Sequence, residues 1–213
     1  HTEHYLNSKD QIVAWGPTVR EFNHLLEIAD KVIHLAPLHQ LEAPQSSLQY
    51  SNHQIEFIPL KPSGGKGLKK LSILGTSIHN LKLIHQYTKI ADFIQFRAPT
   101  GMGVYVLPYL RLFRNKKYWV KYAGNWMDQH MPLGNKLQKT FLLNCVSKKT
   151  KVTYNGSWIK KNNFLSFENP CLTDVEYQAG IKNIKTKTDP TKLGWEICFV
   201  GGLNKHKGVH LIL

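Results

Sequence analysis

Residues 195–213 read W-E-I-C-F-V-G-G-L-N-K-H-K-G-V-H-L-I-L, and this stretch decides the fold class. The apolar run Ile197–Val200 stops at Gly201 and Gly202, and a new apolar segment begins at Val209. This order predicts a buried strand, a glycine turn and the start of a helix. Free backbone N–H groups and the helix dipole both favour anions at such a turn, so we predict a phosphate site there.

Positive side chains crowd the same turn, where Lys205, His206 and Lys207 follow the glycines. The alternative is an ordinary connection between a strand and a helix, with solvated lysines. His206 and His210 lie four residues apart, but two histidines alone are more often surface residues. Since the sequence also lacks H-E-x-x-H and any cysteine pair, no metal site is predicted.

Outward from this stretch, apolar runs alternate with longer segments whose apolar residues recur every three or four positions. The predicted strands are 31–36, 55–60, 90–97, 117–123, 151–154 and 164–167. The predicted helices are 18–30, 64–87, 104–113, 136–146 and 173–183. This alternation predicts an α/β fold, with a Rossmann-like parallel sheet and helices on both faces.

Local signals refine this outline. Thr18 and Glu21 have the spacing of a capping box, which predicts that Thr18 caps the first helix. Residues 38–54 are polar and predict a loop. We expect a first domain over 1–183, a polar linker over 184–194, and over 195–213 the start of a second domain whose remainder is missing.

The positive charge of the chain is unevenly placed. The 213 residues carry a formal net charge of +14, and between Phe57 and Phe167 the acids are Asp92 and Asp128, against 19 Lys and Arg. One interpretation is an anionic partner: nucleic acid, an anionic membrane surface or a phosphorylated substrate. The other is a solvated basic face without a dedicated partner.

Cysteine usage and hydropathy bear on the compartment. Cys145, Cys171 and Cys198 are odd in number and far apart, which predicts free, mostly buried thiols in a reducing cytosol. No apolar run approaches the ~20 residues that a membrane-spanning helix needs. We therefore expect a cytoplasmic protein, with peripheral association at the inner face of the cell membrane as a further possibility.

Two glycine-containing runs fail as nucleotide motifs. Around the run Pro62–Gly67, Leu60 stands where a P-loop needs its first glycine, and Gly67 stands where it needs Ser or Thr. The pair Gly101 and Gly103 begins a dinucleotide fingerprint, but Val106 occupies the position of the third glycine. Neither run supports a cofactor site.

Two loops after predicted strands are better candidates. Arg97, Gly101 and Gly103 follow one strand at the carboxyl edge, where open α/β sheets bind ligands. Two glycines and an arginine at this edge suit an anion or a hydroxylated ligand, and the alternative is a structural turn. Asn125 and Trp126 follow the next strand, where the amide can bond a sugar and the indole can stack on it. The alternative there is a capped turn with a packed Trp.

These residues give the chain a resemblance to the amino-terminal half of a GT-B glycosyltransferase, of the group 1 (family 4) retaining class. Phe199–Leu203 and Lys207-Gly208 resemble the opening of that family's second domain. Gly16–Pro37 resembles its first loop and helix, with Gly16-Pro17 standing for the usual glycine pair. The likeness covers essentially the whole chain, and the K-G turn is its most specific part.

The resemblance implies roles for individual residues. Lys207, with the turn at Gly201 and Gly202, would bind the diphosphate of a nucleotide-sugar donor. Gly202 stands where the family usually has an arginine, and Ala123 stands where it often has a histidine. The family's acidic E-x7-E region belongs to the second domain and is absent here, so the catalytic residues stay unknown.

The resemblance also implies an activity. The whole enzyme would transfer a sugar from a nucleotide-sugar to a glycan or lipid-linked acceptor, with retention and without a metal or other cofactor, in envelope or polysaccharide synthesis. The 213-residue piece alone would be inactive. The rival interpretations are a nucleic-acid-binding module, which no recognised motif supports, and a non-catalytic Rossmann-like interaction domain.

Overall fold

A computed structural model describes residues 3–50, 52–63, 72–112, 116–167 and 174–187, without the side chains of residues 185–187. Contacts divide the chain into a first unit, His1–Cys171, and a second unit, Leu172–Leu213. The boundary between the units precedes the predicted domain end at residue 183.

Nine strands and five helices alternate along the described residues. The strands are β1 (His4–Leu6), β2 (Ile12–Trp15), β3 (Val32–His39), β4 (Ser47–Gln49), β5 (Ile55–Leu60), β6 (Phe93–Ala98), β7 (Lys117–Tyr122), β8 (Thr150–Tyr154) and β9 (Phe164–Ser166). The helices are α1 (Gly16–Leu25), α2 (Ser72–Ile90), α3 (Gly103–Leu110), α4 (Leu133–Asn144) and α5 (Asp174–Lys187).

The strands form a mixed sheet and a parallel sheet. The five-stranded sheet has the order β4-β2-β1-β3-β5, in which β2 pairs antiparallel with β1 and β4, whereas β3 runs parallel to β1 and β5. The four-stranded sheet has the order β6-β7-β8-β9, and all its pairs are parallel. All four carboxyl ends of this second sheet therefore lie at one edge, and all four amino ends at the other.

Side chains of β7 alternate between two differently covered faces. Tyr118, Val120 and Tyr122 point into apolar clusters formed with α3 and α4. Lys121 lies on the opposite face and bonds to Glu21 of α1. Helices thus cover both faces of the parallel sheet, and the predicted α/β, Rossmann-like class is confirmed.

The largest apolar cluster joins the parallel sheet to α3 and α4. Leu142 of α4 and Val152 of β8 are fully buried there, and Trp126 packs beside them. Burial of each such aliphatic side chain contributes about 1.5–3 kcal/mol. This packing fixes the loops that leave the carboxyl ends of β6 and β7.

The start of α1 differs from the prediction. The helix begins at Gly16, directly after Trp15, so Thr18 lies inside the first turn and does not cap it. Among the residues that the structure describes, no side chain caps this end, and the buried Thr18 hydroxyl has no hydrogen-bond partner. Pro17 accounts for the early start, since its fixed φ suits the first helical turn, where its missing N–H is not needed.

The amino-terminal region contains more strand than predicted. β1 and β2 were not predicted, and the predicted loop over 38–54 contains the end of β3 and all of β4. These strands have three or four residues, too few to establish an alternating pattern. The strand predicted over 90–97 begins at Phe93 because α2 continues to Ile90.

The second unit is described over α5 alone. Asp174 and Glu176 lie in its first turn, where negative charge is favoured by the helix dipole. The helix continues through residues 184–187, which are the first residues of the predicted linker. The rest of that linker and the predicted second-domain start at 195–213 lie outside the described residues.

Candidate functional site

A crevice opens at the carboxyl edge of the parallel sheet, where β6 and β7 end. It has a volume of about 160 Å³. Its lining residues come from two adjacent loops: Arg97, Ala98, Pro99, Thr100, Ala123 and Gly124. This is the edge at which the sequence predicted a ligand site.

The two loops are tied together at the floor of the crevice. The Ala123 N–H donates to the Ala98 carbonyl oxygen at 2.6 Å, and the Ala98–Pro99 peptide bond is cis. A Cβ on Gly124 would lie 2.9 Å from the Pro99 ring, closer than real Cβ contacts allow. Glycine is therefore required at position 124 by this close approach of the loops.

A buried glutamine of α4 fixes the first loop. The Thr100 N–H donates to Gln138 Oε1 at 3.1 Å, and Gln138 Nε2 donates to the Thr100 carbonyl at 2.8 Å. Gly103 packs against the same amide, which occupies the space where a Cβ would stand. Its N–H also donates to the Thr100 hydroxyl at 3.0 Å. Gly103 therefore has the role of the alternative interpretation, a structural turn, because it positions the loop.

Gly101 and Arg97 are more accessible to a ligand. Gly101 is exposed, and a Cβ added there would have Ile73 Cδ1 as its nearest neighbour, at an ordinary 3.7 Å. Packing therefore does not require glycine at position 101. Arg97 is the penultimate residue of β6, keeps 27% of its side chain exposed and lines the crevice.

Arg97 belongs to a partly buried network of ion pairs with Glu21 and Lys121. Lys121 Nζ lies 2.8 Å from Glu21 Oε1, and Arg97 Nη1 lies 3.5 Å from Glu21 Oε2. Lys121 also lies over the Phe167 ring, 4.7 Å from its centroid. Two cations thus share one carboxylate, which leaves one positive charge in excess beside the crevice.

Two histidines, His4 and His34, lie near this network. Tyr50 Oη is 2.8 Å from His4 Nε2 and 2.9 Å from His34 Nδ1, and the His4 ring stacks on Phe57. Burial lowers the pKa of His34 well below its usual value, and His4 and Arg97 lower it further. Burial also raises the pKa of Tyr50.

The remaining acceptor-side candidates serve the fold. Gly16 is buried, its N–H donates to the Ser46 carbonyl, and a Cβ there would lie 3.2 Å from Leu48. Trp126 is 4% exposed and packs on Tyr122, so the packed alternative holds and the ring cannot stack on a sugar.

Asn125 remains exposed beside Trp126. Its Oδ1 accepts the Met127 N–H at 3.0 Å, which forms a local turn, and the residue is exposed. The structure therefore brings Arg97 and Gly101 to one edge with Asn125 nearby in the second loop. Gly201, Gly202 and Lys207 lie outside the described residues, so the predicted phosphate turn stays a prediction.

The sequence reasoning missed three residues that build the site. Glu21 reads as a capping acid in the sequence, and Gln138 as an ordinary helix residue. Lys121 carried a usable signal, because it interrupts an apolar strand one residue before that strand ends. A charge at such a position is expected to need a buried partner.

The amino edge of the parallel sheet has a different character. Lys117 begins β7, Lys148 and Lys149 precede β8, and Lys160 precedes β9, and all four are exposed. Within the described part of the chain, these four lysines form no ion pair. Exposed apolar side chains lie at the same edge: Ile90, Phe93 and Leu112.

The cysteine described by the structure and the search for metal ligands add no further candidate site among the described residues. Cys145 is free and exposed, so the expectation of a buried thiol is wrong for this residue. In the described ranges, no three His, Cys, Asp or Glu side chains are grouped as metal ligands would be. No helix of those ranges is both long and apolar enough to cross a membrane.

Comparisons with known proteins identify no relative. No family model matches the chain, and no curated protein or solved structure is significantly similar to it. The fold and the site together define an α/β protein with a crevice at the carboxyl edge of a parallel sheet.

Proposed function

We propose that this chain is the acceptor-side half of a glycosyltransferase that moves a sugar from a nucleotide-sugar to a glycan or lipid-linked acceptor. The observation that carries the proposal is the crevice between Arg97 and Gly124, at the edge where open α/β sheets bind their ligands. The resemblance of the sequence to the group 1 retaining class supplies the reaction.

Each of the two predicted sites has its own task in this proposal. The crevice beside Arg97 and Gly101 receives the acceptor, and Asn125 offers its exposed amide to a sugar hydroxyl. The turn at Gly201, Gly202 and Lys207 holds the donor diphosphate. Backbone N–H groups and the Lys207 ammonium there stabilise the negative charge that develops on the departing nucleoside diphosphate.

The proposal extends to where the enzyme works. The exposed lysines of the amino edge suit an anionic membrane surface, and Ile90, Phe93 and Leu112 can enter its interfacial layer. Six strand residues span about 20 Å, so the crevice would stand about that far above the headgroups. A lipid-linked oligosaccharide spans such a distance, whereas a single lipid-linked sugar does not.

The rival function is nucleic-acid binding, favoured by the net charge of +14. The two are separated by titrating the full-length protein with uridine and guanosine diphosphates and, in parallel, with a mixed-sequence oligonucleotide over a salt series. Binding of a nucleoside diphosphate that Lys207→Ala abolishes and Lys205→Ala preserves supports sugar transfer. Oligonucleotide binding with a steep salt dependence and no diphosphate binding would replace it.

A further inference from the structure

The crevice at the carboxyl edge is bordered by unequal charge. Arg97 and Lys121 are both positive and both face Glu21, at 3.5 Å and 2.8 Å. Because Lys121 is nearly fully buried and closer to the carboxylate, Glu21 mainly compensates Lys121. Arg97 therefore keeps most of its charge, and it is the member of the network that lines the crevice.

We propose that this crevice binds an oxyanion, a phosphate or carboxylate group of the ligand, through the Arg97 guanidinium, and that Lys121 keeps Arg97 available by holding Glu21. A guanidinium presents paired N–H donors that match such a group in two-point contacts. The 160 Å³ crevice is large enough for a phosphate, and its other lining residues carry no charge.

Two neighbouring features agree with this assignment. The N–H groups of Gly101 and Gly124 have no hydrogen-bond partner among the described residues, and both belong to the loops that border the crevice. In addition, the positive charge of Arg97 acts on groups beyond Glu21, since it contributes to the lowered pKa of His34. An oxyanion at Arg97 satisfies both the spare donors and the spare charge.

The binding of an oxyanion does not depend on the reaction, but its assignment to the acceptor rests on the proposed function. Under that function, the acceptor carries an acidic group near the hydroxyl that receives the sugar. The source is either a phosphate group carried by the glycan or the carboxylate of an acidic sugar. Separate probes distinguish the two.

The test is a titration of the isotope-labelled protein with inorganic pyrophosphate and with glucuronate, followed through the backbone amide signals of Thr100, Gly101 and Gly124. We expect saturable shifts at these amides with one of the probes, which identifies the source. Arg97→Gln should weaken that binding about tenfold or more, the effect of losing a charge-assisted hydrogen bond. Lys117→Gln removes the same charge at the other end of the sheet and serves as the control.

Two further variants distinguish binding at the Arg97 network from a non-specific attraction of anions to the positively charged protein. Glu21→Gln should tighten binding several-fold, because Arg97 then loses its competing carboxylate. Lys121→Met should weaken binding although Arg97 is intact, because Glu21 is then free to pair with Arg97. Circular dichroism establishes that each variant is folded. If Glu21→Gln or Lys121→Met does not fold, the comparison of Arg97→Gln with Lys117→Gln alone decides whether Arg97 binds the oxyanion.

Equal affinity in Arg97→Gln and wild type, or shifts that Lys117→Gln removes instead, would overturn the inference. Absence of shifts with both probes overturns it as well. Its failure is distinguishable from that of the proposed function. Oxyanion binding without sugar transfer refutes the function alone, whereas sugar transfer that is unaffected by Arg97→Gln refutes this inference alone.

Discussion

Lys121 Nζ of β7 lies 2.8 Å from Glu21 Oε1 of α1, with only 5% of the lysine side chain exposed. This contact joins the parallel sheet to the helix that follows the β1–β2 hairpin. A buried pair offsets its desolvation only in good geometry, whereas removal of one partner leaves a buried charge uncompensated. The pair therefore fixes where α1 meets the sheet, beside the crevice.

The two partners of this pair are expected to differ in their effect on stability. Glu21→Gln leaves Lys121 and Arg97 without a counter-charge and should lower the free energy of unfolding by about 3 kcal/mol. Lys121→Met should cost about 1 kcal/mol, because Met keeps the stem packing and Glu21 retains Arg97. Urea denaturation of both variants measures the difference. A larger loss in Lys121→Met than in Glu21→Gln would contradict the assignment of charges.

Gly103 is expected to be intolerant of a side chain. In Gly103→Ala the added methyl must displace the Gln138 amide, which breaks the two hydrogen bonds between Gln138 and Thr100. The net cost should be about 2 kcal/mol, since buried groups are left unpaired.

The matched control is Gly75→Ala in α2, where a Cβ meets nothing within 4 Å. Helix propensity alone acts there, and the variant should gain about 0.5–1 kcal/mol. Thermal and urea unfolding of the two alanine variants should therefore shift in opposite directions. A shift in the same direction would mean that the Gln138 contact does not constrain the loop.

Stability should fall in mild acid because of His34. The pKa of His34 is depressed in the folded protein, so the unfolded chain takes up a proton near pH 6.5 that the folded chain does not bind. The stabilisation is complete above that pH. It falls by at most about 1.4 kcal/mol per pH unit as the pH drops toward the folded value.

The measurement is the free energy of unfolding between pH 8 and pH 5. His34→Phe should reduce the acid slope, whatever its effect at pH 8. His24→Gln, which changes an exposed histidine of α1, is the control for the loss of a histidine. An acid slope in His34→Phe as steep as that of wild type would assign the effect to other groups.

Binding to anionic membranes should depend on the amino edge of the parallel sheet. The protein should co-sediment with liposomes that contain phosphatidylglycerol at low salt. It should not co-sediment with neutral liposomes, or with the anionic liposomes at high salt. The double change Lys148→Glu/Lys149→Glu should weaken this binding at least tenfold, since each lysine near such a surface contributes about 1 kcal/mol.

A control with the same charge change tests whether location matters. Lys82→Glu/Lys136→Glu alters exposed lysines of α2 and α4 that lie away from this edge. If the two double variants lose binding equally, net charge alone attracts the protein to the membrane. Binding to neutral liposomes, unaffected by salt, would exclude an electrostatic mechanism.

The sequence predicted most of the parallel sheet because the evidence is local. Buried parallel strands read as apolar runs, and β8 appears over Thr150–Tyr154, one residue longer than the predicted strand 151–154. The short strands β1, β2 and β4 depend on pairing with each other, which no local pattern encodes. Thr18 shows a related limit, because Pro17 started the helix earlier than the capping motif indicated.

The candidate site was predicted in position but only partly in composition. Arg97 near the end of β6 and the glycines after it indicated this edge, and Arg97 does line a crevice there. Trp126 and Gly103 serve packing instead, which depends on Tyr122 and Gln138 from other segments. Lys121 and Glu21 lie far apart in the sequence, and spacing alone gives no sign that they pair.

The most direct test of the proposed sugar transfer is a nucleoside diphosphate release assay on the full-length protein with a panel of nucleotide-sugars. We predict release with at least one donor, stimulated by a glycan or lipid-linked acceptor. Lys207→Ala should lower kcat/KM about 100-fold, and Lys205→Ala should leave it near wild type. No release with any donor, or equal release by the Lys207→Ala variant, would contradict the account.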